Sequence, residues 1–369
     1  MMPSHEAVIS GIELIPYEIR LSNPVHASVG TWNSQSHVLL ILYTDKNITG
    51  FAEIPPRLMI YGETIKSILG LKDEIETIIK GHNLFDRDGL WWKLRFIEGN
   101  NTLKAALDIA CVDAASKLLK IPTYRFLGGD SKPIQVTALL GLGEPDKVLS
   151  EAEELNTQYG IQSFKIKGGI NYQRDIEICK KLRNKFTDSI IYLDANHGYD
   201  ITTINKLLPQ LTKYIDWIEE PASGGYIVSR RQIGNSGIIP ILGDEMCRTV
   251  EEVASKVLDG SCQMISIKTA RTGFFLSEKI VNLCSSLGIP VLIGTQGEGL
   301  LGVACGVHFT CLNHSYMNLP GELMYHLKAI DSIFLGKYPI SEGMIRPNND
   351  YGLGINIDWD KLNFYRIDK

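Results

Sequence analysis

From about Pro133 onward the chain alternates short apolar runs with longer amphipathic ones, and this alternation limits its possible folds more than any other feature. The short runs are Ile134–Thr137, Gln162–Lys167, Ile190–Asp194, Ile215–Glu219, Ile239–Gly243, Met264–Lys268 and Val291–Gly294. Helical patterns lie between them at Arg174–Lys185, Ile204–Leu211, Thr249–Leu258, Leu276–Leu287 and Leu300–Cys311. Apolar strands separated by crossover helices build a parallel sheet buried on both faces. Seven or eight such units without a glycine-rich dinucleotide loop favour a closed barrel over a doubly wound sheet. The expected fold class is α/β, with a TIM-like (β/α)7β barrel over residues 131–320.

Residues 1–130 have a different pattern and are expected to form an N-terminal α+β capping domain. Val8–Leu21 and His37–Tyr43 have partly alternating, β-branched character. Helical stretches follow around Glu63–Lys80 and Asn101–Leu119, the second carrying Asp108 and Asp113. Residues 321–369 have little periodicity and are expected to hold the final barrel element and a segment returning to the cap. No low-complexity linker separates the units, so they should pack together.

Composition removes several function classes. A net charge of -5 gives no electrostatic reason to expect nucleic acid or an anionic membrane as partner. The opening MMPSHEAVIS has no basic segment feeding an apolar run, and no window is long and apolar enough to span a bilayer. The seven cysteines are scattered without a CxxC pair, which reads as reduced, mostly buried thiols in a cytoplasmic enzyme.

Polar residues cluster at the C-terminal ends of the expected barrel strands, the face where barrel active sites lie. Lys165 and Lys167 close SFKIKGG, Asp194 and Asn196 close IYLDAN, and Glu219 and Glu220 close WIEEP. Asp244 and Glu245 close IILGDE, and Lys268 closes MISIK. Asp194, Glu219 and Asp244 fall one per successive βα unit. Three such carboxylates make a hard oxygen site suited to Mg²⁺, and without a cation they would repel one another. Lys165 and Lys167 share one face of a strand, and two close ammonium groups should depress each other's pKa and help one act as a base. Lys268 would approach from across the barrel. Removing a proton α to a carboxylate builds a second negative charge on its oxygens, which a divalent cation and ammonium groups stabilise.

These residues, together with GFAEIPPRLMIYGET at Gly50–Thr64, AALDIACVDAASK at Ala105–Lys117 and FLGG at Phe126–Gly129, resemble the enolase superfamily and its muconate-lactonizing-enzyme-like subgroup over most of the chain. The resemblance implies Lys167 and Lys268 as the two acid/base groups, with Lys165 tuning charge near the substrate carboxylate. It implies Asp194, Glu219 and Asp244 as ligands of one Mg²⁺ per subunit, with Asn196 and Glu245 behind them. Glu298 in GTQGEG matches an acidic residue at the end of the seventh strand. A homo-oligomer is also implied.

The activity expected first is Mg-dependent epimerisation of an L,L-dipeptide at the α carbon, by 1,1-proton transfer between two lysines through an enediolate. Muconate cycloisomerase, o-succinylbenzoate synthase and N-succinylamino acid racemase remain as alternatives, because Pro320-Gly321-Glu322 keeps only one acid where the common acidic-dipeptide epimerases carry Asp-x-Asp. Sugar-acid dehydratases are disfavoured, since no His–Asp dyad follows Val291. Glu298 and Glu322 are expected to offer negative charge to a substrate ammonium, and Thr137 to contact substrate. Specificity is expected from cap loops at Val25–Thr31 and Arg57–Tyr61, with His26, Trp32, Arg57 and Tyr61 as candidates.

Overall fold

Long stretches of β-branched and aromatic residues at the start of the chain make three antiparallel strands, β1 (Ile9–Ala27), β2 (Gly30–Thr44) and β3 (Thr49–Ile54), in the order β1-β2-β3. The computed structural model describes residues 6–312 and 316–369. Helix α1 (Leu58–Tyr61) follows the sheet, and α2 (Asn101–Leu118) packs across it, buried for nearly its whole length.

Two aspartates on α2 join the parts of the molecule. Asp108 accepts hydrogen bonds from the Phe274 N–H at 2.6 Å and the Phe275 N–H at 2.9 Å. Those amides follow Gly273, whose positive φ of 60° kinks helix α4 (Thr269–Leu287) against the Asp108 side chain. Asp113 accepts from the Phe51 and Leu353 N–H groups, both at 2.9 Å, and from Lys117 at 2.6 Å. It therefore ties the cap sheet to the C-terminal segment. Glu53 on β3 makes a third joint. Its buried carboxylate takes the Tyr17 hydroxyl at 2.7 Å and the N–H groups of Gly299 and Gly302 at 2.9 and 3.1 Å, at the N-terminus of helix α5 (Leu300–Leu312). Residues 329–367 run back along β1, bridging Leu21 to Ala329 and Tyr17 to Arg366.

The barrel strands form one parallel sheet, β4 (Ala138–Leu140), β5 (Ser163–Lys167), β6 (Ile190–Asp194), β7 (Trp217–Glu219), β8 (Ile241–Gly243), β9 (Met264–Ile267) and β10 (Val291–Ile293), in sequence order. The sheet curls, and residues 321–322 close it. Gly321 exchanges bonds with Gln135 and Thr137, and the Glu322 N–H donates to Ile293 at 2.9 Å. Helix α3 (Pro145–Tyr159) follows β4. Tyr192, Trp217, Leu242, Met264 and Leu292 form one apolar cluster, with Tyr192 and Trp217 stacked at 4.9 Å. Two residues beyond the first three of these, on the same side of each strand, stand Asp194, Glu219 and Asp244.

One expected strand is displaced. Ile134–Gln135 pairs antiparallel with Met344–Ile345, and the first barrel strand begins only at Ala138. Periodicity could not separate them because the apolar character runs on from Ile134 to Leu140. The Val25–Thr31 stretch is also no open loop but the end of the β1–β2 hairpin, paired Val25 to Trp32 and His26 to Thr31.

A buried histidine on α5 gives the fold a measurable acid sensitivity. The His308 Nδ1 accepts from the Tyr124 N–H at 3.0 Å, which leaves Nε2 to donate to the Tyr338 hydroxyl at 2.8 Å. A second ring proton would face an N–H, and burial lowers the His308 pKa to about 3. The unfolded chain, titrating near 6.5, then binds the proton first as pH falls. Stability should be unaffected by this group above about pH 6.5 and should have dropped by about 2 kcal/mol at pH 5. Urea midpoints across that range should show the loss, and the slope should flatten in His308→Gln.

Candidate active site

The strand ends converge on a cavity of about 670 Å³ between cap and barrel. Lys167 and Asp194 are paired neighbours on β5 and β6, and Asp194 pairs in turn with Glu219 on β7. The Lys167 ammonium donates to Asp194 Oδ2 at 2.6 Å and Asn196 Oδ1 at 2.8 Å. Lys165, one alternation deeper, is almost fully enclosed and lies within 3.0 Å of Asp194 Oδ2 and 2.8 Å of both Glu219 Oε2 and Glu322 Oε1. Lys268, four strands round the sheet from Lys167, is ion-paired to Asp244 Oδ2. Lys165, Lys167 and Lys268 all line the cavity.

The electrostatics follow from crowding. Burial and the charge of Asp194 push the Glu219 carboxyl well above its ordinary value. Against the same burial penalty, Lys165 and Lys167 hold Asp194 well below, and Lys268 and Arg271 hold Asp244 down at about 2. Burial and Asp244 raise Glu245 to about 7. Lys165 departs from the expectation of mutual depression. Burial works to lower Lys165, but Asp194, Glu219 and Glu322 outweigh it and hold the ammonium well above its usual range. Asp244 does the same for Lys268 against its burial. Neighbouring acids outweigh the neighbouring ammonium group in this site.

The donor set suits a hard cation. Asp194, Glu219 and Asp244 bring three buried carboxylates together, and the charge of Asp194 adds to burial in pushing the Glu219 carboxyl up, a repulsion that a divalent cation would relieve. A second group of possible ligands lies beside it, with atoms of His197, Glu220 and Glu245 within 4.8 Å of one another. That group already has its own partners: Arg230 stands 3.4 Å from Glu220 Oε2, the Asn196 amide donates to Glu245 Oε1 at 2.9 Å, and the His197 ring bonds the Ala222 carbonyl. Each set is already paired within the protein, and the first offers three carboxylates to a hard cation where the second offers two and an imidazole.

The remaining candidates divide. Trp32 and Arg57 line the cavity. The Arg57 guanidinium, however, is turned to the Gln296 carbonyl at 2.6 Å, so it pins the cap segment to the barrel rim instead of standing free for a carboxylate. His26 is exposed and bonded to Thr31 at 2.8 Å, because alternation along β1 sends Val25 and Ala27 into the cavity and His26 away from it. Thr137 lies below the site, before β4, with its buried hydroxyl bonded to Ser163 at 2.9 Å; the displaced first strand accounts for this. Glu298 does not line the cavity. Its carboxylate accepts from the Thr295 hydroxyl and from the Gln296 N–H at 2.8 Å. Glu322 does line it, but takes bonds from Lys165, from the Tyr192 hydroxyl at 2.9 Å and from the Thr295 N–H at 3.0 Å. Glu322 is thus bonded through both carboxylate oxygens and Glu298 through Oε2.

Two contributors escaped the sequence reading. Arg271, three residues after Lys268 and so on the same side of the first helical turn, is buried and donates to Asp244 Oδ1 at 2.9 Å and to the Tyr61 hydroxyl at 3.3 Å. Its spacing was the available signal. Ser28, at the tip of the β1–β2 hairpin, donates to the carbonyls of Ala195 and Asn196 at 3.0 Å, and nothing in its local sequence marks that long-range contact.

No helix among the described residues is long and apolar enough to cross a membrane. The sequence matches the family described as mandelate racemase / muconate lactonizing enzyme, N-terminal domain, over residues 11–128, and enolase C-terminal domain-like over residues 147–361. An N-succinyl-L-Arg/Lys racemase from Bacillus cereus is 27% identical, covering 96% of each chain. A D-Ala-D/L-Ala epimerase from Cytophaga hutchinsonii is 26% identical over 96% of this chain and 98% of its own. A dipeptide epimerase from the same organism, solved with Mg and D-Ala-L-Val, superimposes with TM-score 0.90 at 24% identity, covering 98% of this chain and 99% of that one. Muconate lactonizing enzyme from Mycobacterium smegmatis, solved with muconolactone, gives TM-score 0.95 at 33% identity over 98% of this chain and all of its own. These relatives are isomerases, and the chain is an enzyme of that class, belonging to the enolase superfamily in its muconate-lactonizing-enzyme-like subgroup.

Proposed function

We propose that the protein is a Mg²⁺-dependent epimerase that inverts the α carbon of an amide-linked amino acid, with an L,L-dipeptide as the substrate to test first. The observation that carries this is the placement of Lys167 and Lys268 on opposite sides of one cavity, each with its ammonium on an acid of the central set. Asp194, Glu219 and Asp244 would hold the cation, which supplies Lewis-acid stabilisation of the negative charge that builds on the substrate carboxylate. Lys167 removes the α proton from one face, and Lys268 returns a proton to the other. Asn196 holds the Lys167 head, and Lys165 adds positive charge on the floor of the site. The cap hairpin and Trp32 cover the mouth and exclude water.

A second reading, an N-succinylamino acid racemase or muconate-type cycloisomerase, is favoured by one observation. Glu322 is bonded through both oxygens and Glu298 lies off the cavity lining, so in this arrangement neither presents an open carboxylate to a substrate ammonium. Incubating the protein with Mg²⁺ in D₂O, with L,L-dipeptides in one arm and N-succinylamino acids and muconate in the other, separates the readings. Deuterium at the α carbon of a few dipeptides is the expected result. Its absence from every dipeptide, with turnover in the second arm, would overturn the dipeptide assignment.

A further inference from the structure

The cavity extends beyond the catalytic lysines to a charged outer end, made by Ser22 and Asn23 of β1, Asp146, Lys147 and Glu151 of α3, and Lys328. We propose that Lys328 anchors a second carboxylate, carried on the part of the substrate farthest from the reacting carbon. This rests on the amide-linked substrate proposed above and names the chemistry of its distal end.

The acids of the outer end are largely spoken for. Asp146 is paired with Lys181 at 2.6 Å. Glu151 accepts the Gly141 N–H at 2.9 Å through one oxygen and faces Lys328 at 3.3 Å through the other. Glu154, also on the lining, stands exposed at the rim. Lys328 is the under-used partner. An ammonium has three donors, and the single ion pair found for this one is the long contact to Glu151. Its side chain is only 18% exposed. Its backbone is fixed to the cap, where the Ser22 hydroxyl donates to the Lys328 carbonyl at 2.9 Å and the Ile330 N–H donates to Arg20 at 3.1 Å. A sheltered, positioned cation with spare donors in a substrate cavity is a carboxylate receptor.

Two substrate parts supply that chemistry: a dicarboxylic acyl group on the amino acid nitrogen, or an acidic side chain on the first residue of a dipeptide. The test uses the Mg²⁺-loaded protein and two matched pairs built on one reacting amino acid. The first pair carries N-succinyl or N-butanoyl, and the second carries an L-Glu or L-Gln first residue. In the parent protein the carboxylate member of one pair should have a KM lower by about tenfold to hundredfold, as for a charge-assisted bond. Lys328→Met should erase that advantage through KM, with kcat held within about threefold and the neutral members unchanged. Glu151→Gln, which leaves Lys328 in place, should keep the preference. The pair that responds identifies the source. No carboxylate preference in either pair, an equal KM rise for charged and neutral members, or loss of the preference in Glu151→Gln would overturn the proposal. If none of the four compounds exchanges its α proton, the amide-linked reading fails separately. Lys328 is then judged by titration calorimetry of the Mg²⁺-loaded protein with glutarate and butyrate. Tighter glutarate binding that Lys328→Met abolishes supports the anchor, and equal binding of the two refutes it.

Discussion

In D₂O, a Lys268→Ala protein should still exchange the α proton of one epimer of its substrate while failing to convert that epimer into the other. In the proposed mechanism each lysine reaches the reacting carbon from its own side, so each would act as base for only one configuration. Lys167 is held by Asp194 and Asn196 on the second barrel strand, and Lys268 by Asp244 at the end of the sixth. Lys167→Ala should therefore show the complementary pattern, exchanging the other epimer. Inversion needs both groups, and losing a positioned acid/base group should lower kcat by about 10²–10⁴-fold in either variant. Proton NMR of the two epimers, followed separately, measures this. Equal loss of exchange for both epimers in both variants would show that the lysines serve the site only through its charge.

Glu219→Gln should remove most of the protein's response to Mg²⁺. In the parent, binding an ion to the native state alone should raise stability by about 2.7 kcal/mol at a hundred times the dissociation constant. It should also relieve the share of the upward shift of the Glu219 carboxyl that Asp194 adds to the effect of burial. The variant lacks one negative charge of the set, and an amide is a weaker ligand for a hard cation than a carboxylate. Its Mg²⁺-dependent shift in melting temperature should largely vanish, and kcat should fall by about a hundredfold or more, the several kcal/mol a Lewis acid supplies. Glu220→Gln is the informative comparison. If it abolished the thermal shift while Glu219→Gln kept it, the ion would belong to His197, Glu220 and Glu245 instead.

The barrel could be read from the sequence because burial on both faces writes each strand as an apolar run, and the residue two places beyond each lumen side chain is forced to the same side. Tyr192 and Asp194, Trp217 and Glu219, and Leu242 and Asp244 obey that rule in turn. The rule failed where two apolar segments abut, at Ile134 to Leu140, and Thr137 was misplaced with them. Specificity residues were less legible because they depend on contacts between distant segments. His26 and Val25 are neighbours in sequence, yet only the hairpin register decides which one enters the cavity. The commitments of Glu298 and Glu322 likewise arise from a loop and a closing strand that no local pattern records.

The closure of the barrel at Gly321 and Glu322 links mechanical integrity to chemistry. A pair of residues stitches the first strand region to the last, and the second of them also carries the acid that braces Lys165. The seam that closes the cylinder and the floor of the reaction chamber are thus one object. Fraying there would release the Lys165 ammonium while the surrounding helices stayed folded, so heat or denaturant would silence the enzyme by loosening a hinge-like stitch before the whole molecule melts.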